Sequence, residues 1–329
     1  MKKSFDSKKA EFVIVSHIQN GGGAIALHSL CKYLTELGYK ARIFYTRCYD
    51  YNDSRRSEYF RQWFVGCMYD TVRKTAVKLV KTDYIRNKLW YRDYLFTPVK
   101  GCRRKFTPFI GKNTIVVYPE IMYGNPLKSD NVVRWLLYYN KLYNEQNPDS
   151  YSKNDLFFCY REVFNDEKLN PDVNKVRTPF YDLNFYRQTN FGERNGKCFI
   201  IRKGAERDDL PKEYDGIIID DMTEEQIVET FNKCKYCISY DTQTGYSKIA
   251  AMCGCISVII PEQGRSKTDY ISSEDENVGV AWGWDEKELE HAMQTREQVR
   301  SMFEEINRSG RESAEKFAET CLDFFSRNS

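Results

Sequence analysis

Cys237-Ile238-Ser239-Tyr240-Asp241-Thr242-Gln243-Thr244-Gly245-Tyr246-Ser247-Lys248-Ile249-Ala250-Ala251-Met252-Cys253-Gly254-Cys255-Ile256-Ser257-Val258-Ile259-Ile260-Pro261 reads as one supersecondary unit. A short apolar strand ends at Tyr240, a polar loop follows, and a helix of small residues runs to Met252. Gly254 stops that helix, and a second apolar strand, Ile256 to Ile260, ends at Pro261. Strand, short helix and strand in so few residues imply a parallel sheet. The loop from Asp241 to Tyr246 then lies at the carboxyl edge of that sheet, where open α/β folds bind small ligands. Thr242, Thr244 and Ser247, with Tyr246 beside them, would put hydroxyls and free backbone N–H groups at a helix N-terminus, an anion site. Asp241 would repel phosphate and suits sugar hydroxyls better. The plainer alternative is that Asp241 and Thr242 only cap the helix.

The flanking segments continue the alternation. Lys197 to Ile201 reads as a strand leading into Arg202-Lys203-Gly204. Two cations and a glycine at a strand's carboxyl end fit a diphosphate clamp, because phosphate needs fixed positive charge and glycine lets the backbone come near. Gly216 to Ile219 is a further strand ending in Asp220-Asp221, which is not an Asp-x-Asp metal pattern, so no metal is implied. Thr223 and Gln226 form a capping box for a helix carrying Ile227, Val228 and Phe231. Val278 to Trp282 reads as a strand, and Glu286 to Glu305 and Glu312 to Phe325 as two terminal helices.

Toward the N-terminus, Glu11 to Ser16 is a buried strand entering Gly21-Gly22-Gly23, followed by a helix with Leu27, Leu30, Leu34 and Leu37. Gly38 ends the helix and Ala41 to Tyr45 is the next strand, completing a βαβ unit. The G-x-G-x-x-G fingerprint is missing, which disfavours a dinucleotide. Asn113 to Tyr118 is a buried strand ending in Pro119-Glu120. Glu120 is the leading candidate for a general base. His17, after the first strand, is the second, since imidazole titrates near neutral pH. The alternatives are a helix-capping Glu120 and a packed polar His17. Asn131 to Tyr139 is predicted helical from Val132, Val133, Leu136 and Leu137, and Asp155 to Tyr160 a strand.

Asp241-Thr242, the small-residue helix, Cys253-Gly254 and the Val258 strand resemble the donor-sugar segment of GT-B glycosyltransferases. One branch of that family carries glutamates at the places of Asp241 and Ile249; other, inverting branches carry Asp-Ser/Thr-Gly before the helix, which Asp241-Thr242 fits about as well. The Gly21–Gly23 loop, the segment Tyr181 to Tyr186, which resembles that family's short Asp-x-x-x-Phe turn, and Arg202-Lys203-Gly204 follow in the order of that family. The resemblance implies an α/β fold of two Rossmann-like domains facing each other across a cleft. Residues 1–187 would form the acceptor-side domain, with an insertion at about 49–109. Residues 188–310 would bind the nucleotide sugar, the polar run Gln188 to Asn195 acting as linker, and 311–329 would be a terminal helix crossing back. It further implies transfer of a sugar from a nucleotide-activated donor, without a bound metal or other cofactor, to a glycan or lipid-linked acceptor of surface polysaccharide. The donor would meet Arg202, Lys203, Gly204, Asp241, Thr242, Thr244, Tyr246 and Ser247, and the acceptor the Gly21–Gly23 loop.

Bulk properties bound these readings. The 329 residues suffice for two ordinary domains, and 41% hydrophobic with 29% charged residues is a globular balance. No apolar run approaches the roughly 20 residues that span a bilayer. The basic N-terminus leads into a strand rather than a signal core, so a cytoplasmic protein is expected. A net charge of +3 is too small to imply nucleic acid. Between Asp53 and Lys105, however, fourteen Lys/Arg face five acids, interleaved with Trp63, Phe64, Trp90, Tyr91, Tyr94 and Phe96. That pattern suits the inner face of an anionic membrane; a solvated helical pair is the alternative. Of the 11 cysteines, Cys31, Cys159, Cys198 and Cys237 lie in apolar patterns as small hydrophobes. Cys234, Cys237, Cys253 and Cys255 only superficially resemble a zinc quartet. Two rival functions remain: a nucleotide-sugar- or membrane-binding protein without turnover, and a nicotinamide-dependent oxidoreductase.

Overall fold

A computed structural model describes residues 5–17, 22–46, 99, 101–105, 107–122, 124–139, 151–271 and 277–328, with scattered positions from 57 to 68. Most of the basic aromatic stretch at 49–109 therefore lies outside the described residues. The chain divides into two compact units, residues 1–180 with 307–329, and residues 181–306.

In the first unit the strands are β1 (Glu11–His17), β2 (Lys40–Thr46), β3 (Thr114–Pro119), β4 (Asn131–Leu136) and β5 (Leu156–Cys159). They pair in the order β2-β1-β3-β4-β5, all parallel. β-Branched and aromatic runs such as Phe12-Val13-Ile14-Val15 suit a pleated strand covered on both faces. Alternation splits them. Phe12, Ile14, Ile115 and Val117 face helix α1 (Gly22–Glu36) through Leu27, Leu30 and Leu34, while Val13, Val15, Val116 and Tyr118 face Met122 and Leu127. Each such leucine contributes about 1.5–3 kcal/mol by burial.

The second unit holds β6 (Lys197–Ile200), β7 (Ile217–Ile218), β8 (Tyr236–Ser239), β9 (Ile256–Ile259) and β10 (Val280–Trp282). Their order is β10-β9-β8-β6-β7, again all parallel. Helix α2 (Glu224–Lys233) packs Ile227 and Phe231, and α3 (Tyr246–Met252) packs Ile249 and Ala250, onto Cys198, Ile200 and Cys237. The Thr223 hydroxyl accepts from the Gln226 N–H while the Gln226 side chain accepts from the Thr223 N–H, the reciprocal cap read from sequence. Gly254, at φ 101°, ends α3 in the left-handed region. Helix α4 (Glu286–Thr295) follows β10.

Counted within each unit, both sheets have the doubly wound order 2-1-3-4-5. Each chain path therefore reverses direction once, between β1 and β3 in the first unit and between β6 and β8 in the second. The α/β class with two Rossmann-like units is thus present.

Three sequence expectations need correction. Asn131–Leu136 is strand β4, not a helix, and all six residues are buried. Val132, Val133 and Leu136 match helical spacing, but a short run buried on both faces carries no period, and the β-branched pair settles it as strand. The C-terminal helices break elsewhere. α5 runs unbroken from Gln298 to Arg327, placing Val299 and Phe303 in the second unit's core and Ala314, Phe317 and Cys321 in the first's. Gly310 lies inside this helix, and a Cβ there would crowd the Pro179 carbonyl and the Tyr33 ring. Gln188 to Asn195 is not a free linker. Asn232 accepts from the N–H of Thr189, and Arg194 donates to the carbonyls of Asn190, Phe231 and Cys253.

Among the described residues Arg134 is the largest buried charged side chain. It pairs with Asp155 at 2.8 Å, donates to the carbonyls of Met122 and Gly124, and lies over the Tyr118 ring. Both side chains are within 3% of full burial, so removing one partner strands the other. Asp155→Ala is expected to cost about 3–5 kcal/mol in chemical denaturation of the protein; a loss below about 1 kcal/mol would contradict this account of the pair.

Candidate functional site

In sheets of this order ligands bind beyond the carboxyl ends of the strands where the path reverses. In the second unit those strands are β6 and β8, and the loops that follow them are Arg202–Gly204 and Asp241–Gly245. The two loops singled out from sequence are therefore neighbours in space.

The loop after β6 is a tight, strained turn. Arg202 has φ 37°, a left-handed conformation that costs a non-glycine residue about 1–3 kcal/mol. Asp220, at the end of β7, holds it there: one carboxylate oxygen accepts from the Ile201 N–H at 3.2 Å, the other from the Arg202 N–H at 2.6 Å. Gly204 is buried, and a Cβ there would overlap the Tyr240 carbonyl oxygen, so the turn lies directly against the end of β8.

The held turn projects two cations. The Arg202 guanidinium lies over the ring of Tyr246, 4.2 Å from its centroid. Lys203 is exposed. Among the described residues neither forms an ion pair. Arg207 differs: it grips Asp209 with two hydrogen bonds and donates to the carbonyls of Tyr240, Ile260 and Pro261, tying the ends of β8 and β9 together.

Along the second loop, Asp241 is 4% exposed and its carboxylate accepts from the Gln243 N–H at 3.1 Å, while the Ser239 hydroxyl donates to its carbonyl. Asp241 thus closes a local turn and does not cap the helix, which starts only at Tyr246. The Thr244 hydroxyl oxygen accepts from the Tyr246 N–H at 3.3 Å. Thr242 is half-buried. Ser247 is 1% exposed, and its hydroxyl is enclosed in the protein without a hydrogen-bond partner. At seven residues α3 is short, and its end charge is correspondingly weak. Ile249 is buried in the core.

In the first unit the reversal point lies between β1 and β3. Glu120 follows β3 directly, is 5% exposed, and accepts from the Leu137 N–H at 2.9 Å. Burial pushes its carboxyl up to about 7. Gly22 and Gly23 open α1 and are exposed; a Cβ on Gly23 would stand 3.5 Å from the Leu137 side chain. Leu137 therefore borders both Glu120 and the glycine-started helix. Gly21 and the side chain of His17 lie outside the described residues.

Sequence reading missed Asp220 as a clamp, Arg207 as a tie, and Glu224 and Tyr186 altogether. The Glu224 carboxylate accepts from the phenols of Tyr186, at 2.8 Å, and Tyr246. Glu224 was visible only as an acid in a helix's first turn, and no local pattern marks a partner 22 residues away. Among the described residues no group of three or more His, Cys, Asp or Glu could hold a metal ion. Cys234, Cys237, Cys253 and Cys255 are buried in the second unit's core.

No protein-family model matches the chain, and no curated protein matches it. Solved structures that align with it are glycosyltransferases. A sucrose-phosphate synthase from Thermosynechococcus elongatus aligns over 95% of this chain and 96% of its own at 10% identity, with a TM-score of 0.37. An α-glucosyltransferase solved with UDP and a DNA 13-mer aligns over 96% and 99% at 12% identity, with a TM-score of 0.40. The glycosyltransferase SnogD from Streptomyces nogalater aligns over 98% and 100% at 11% identity, with a TM-score of 0.35.

The strained turn yields a direct test. Glycine adopts positive φ freely, so Arg202→Gly is expected to raise unfolding stability by about 1 kcal/mol in urea while removing a cation. Gly204→Ala should lower it by at least about 2 kcal/mol. The opposite sign in either variant would contradict the turn as described.

Proposed function

We propose that this protein is a glycosyltransferase that moves a sugar from a nucleotide-activated donor to a glycan or lipid-linked acceptor. The observation that carries the reading is the pair of cations, Arg202 and Lys203, presented at the reversal point of a parallel sheet by a strained, clamped turn. Fixed positive charge there suits a diphosphate leaving group, whose charge grows as the sugar–oxygen bond breaks. Asp241, one residue before Thr242, offers an acceptor for sugar hydroxyls. The chain's own residues supply the charge, and no metal or other cofactor is required.

In an inverting reaction the acceptor oxygen forms the new bond to the anomeric carbon as the bond to diphosphate breaks, and Glu120 takes the acceptor's proton. A carboxyl titrating near 7 is matched to that task at neutral pH. In a retaining reaction the departing phosphate takes the proton instead. A role in surface polysaccharide synthesis, at an anionic membrane surface engaged by the basic stretch near 49–109, follows from the family resemblance and that stretch's composition. No described helix is long and apolar enough to cross a membrane.

A screen of UDP-, GDP-, dTDP- and ADP-sugars scored for nucleotide release tests the reading. Release from at least one donor is expected, with Lys203→Ala at least tenfold slower, about 1.4 kcal/mol. Nucleotide binding without release would favour the non-catalytic alternative, and stabilisation by NAD the oxidoreductase.

Glu120 adds a pH signature. Its folded value lies above its ordinary value of 4.5, so the folded state binds the proton more tightly, and stability falls as pH rises from about 4.5 to about 7. Activity of an inverting enzyme should rise over the upper part of that window as the base ionises. Glu120→Gln should flatten the stability profile and abolish turnover; unchanged turnover would remove Glu120 from the mechanism.

A further inference from the structure

We infer that Glu224 and Tyr186 are positioning residues that hold Arg202, through Tyr246, in the orientation that receives the donor diphosphate; this rests on the proposed role of Arg202. A cation at an exposed turn is useful only if its long side chain is kept in one of its many rotamers. The structure provides the means. The Arg202 guanidinium lies over the ring of Tyr246, the first residue of α3, 4.2 Å from the ring centroid. The Tyr246 phenol donates to one carboxylate oxygen of Glu224, and the Tyr186 phenol donates to the other. Two phenols on one carboxylate fix its plane, and charge-assisted bonds of this kind are about twice as strong as neutral ones.

The chain also has an electronic consequence. A phenol donating to an anion gains electron density in its ring, and a richer ring face attracts a guanidinium more strongly. Burial first, then the charge of Glu224, hold both phenols well above the usual tyrosine range, so they remain donors at neutral pH. The segment before β6, the start of α2 and the start of α3 thereby converge on one guanidinium.

Helix capping does not account for Glu224. The reciprocal cap of α2 is made by Thr223 and Gln226, and an acid in the first turn could serve the helix without meeting either phenol.

A double-mutant cycle on the full chain, read by calorimetric titration with inorganic pyrophosphate, tests the coupling. Pyrophosphate carries the diphosphate of any donor and avoids the choice of base. Arg202→Ala is expected to weaken binding at least tenfold. Glu224→Gln should weaken it about fivefold in the wild-type background and less than twofold when Arg202 is already alanine. Tyr246→Phe, which keeps the ring and loses the hydrogen bond, should show the same dependence. Equal losses from Glu224→Gln in both backgrounds, or no loss in either, would overturn the positioning role while leaving the clamp intact. An Arg202→Ala variant that binds as the wild type does would sink the diphosphate reading and the positioning role with it.

Discussion

Two hydrogen bonds from backbone N–H groups to Asp220 hold the second unit's site together. They keep Ile201 and Arg202 in a turn that an L-residue otherwise avoids. Because Gly204 admits the end of β8 without a Cβ between, that turn is pressed against the Asp241 loop. The remaining contacts follow. With the turn fixed, Arg202 reaches Tyr246, Tyr246 reaches Glu224, and Arg207 can span the carbonyls at the ends of β8 and β9. Strain in the backbone is offset by hydrogen bonds and packing around it, an arrangement expected where orientation matters more than local stability.

The repeated 2-1-3-4-5 strand order gives this a wider basis. Each unit has one place where neighbouring connections leave in opposite directions, and each places polar groups there: Arg202, Lys203 and Asp241 in the second, Glu120 and the opening glycines of α1 in the first. The two sets differ in chemistry. The second offers cations left without ion pairs among the described residues. The first offers a carboxyl whose proton is held by burial.

Much of this was legible from residues alone, for local reasons. Strand ends marked by Tyr240-Asp241, Ile201-Arg202 and Pro119-Glu120 come from β-branched runs meeting turn residues, and the reciprocal cap at Thr223 and Gln226 is a pattern of adjacent positions. Where the reading failed, the deciding contact lay far along the chain. β4 reads as a helix from sequence because burial on both faces erases the strand's period. The gap expected between Glu305 and Glu312 is helical instead, within α5. Ser247, expected on the ligand side, is 1% exposed. Asp220 and Glu224 carried no signal, since their roles exist only once β7 lies beside β6 and α2 beside α3.

Hydrogen–deuterium exchange of the full chain, with and without saturating UDP, tests most directly whether a nucleoside diphosphate sits at the second unit's reversal point. Slowed exchange concentrated in 201–205 and 241–247, with little change across β9 and β10, is the predicted result. Protection elsewhere with none in those two loops would contradict it.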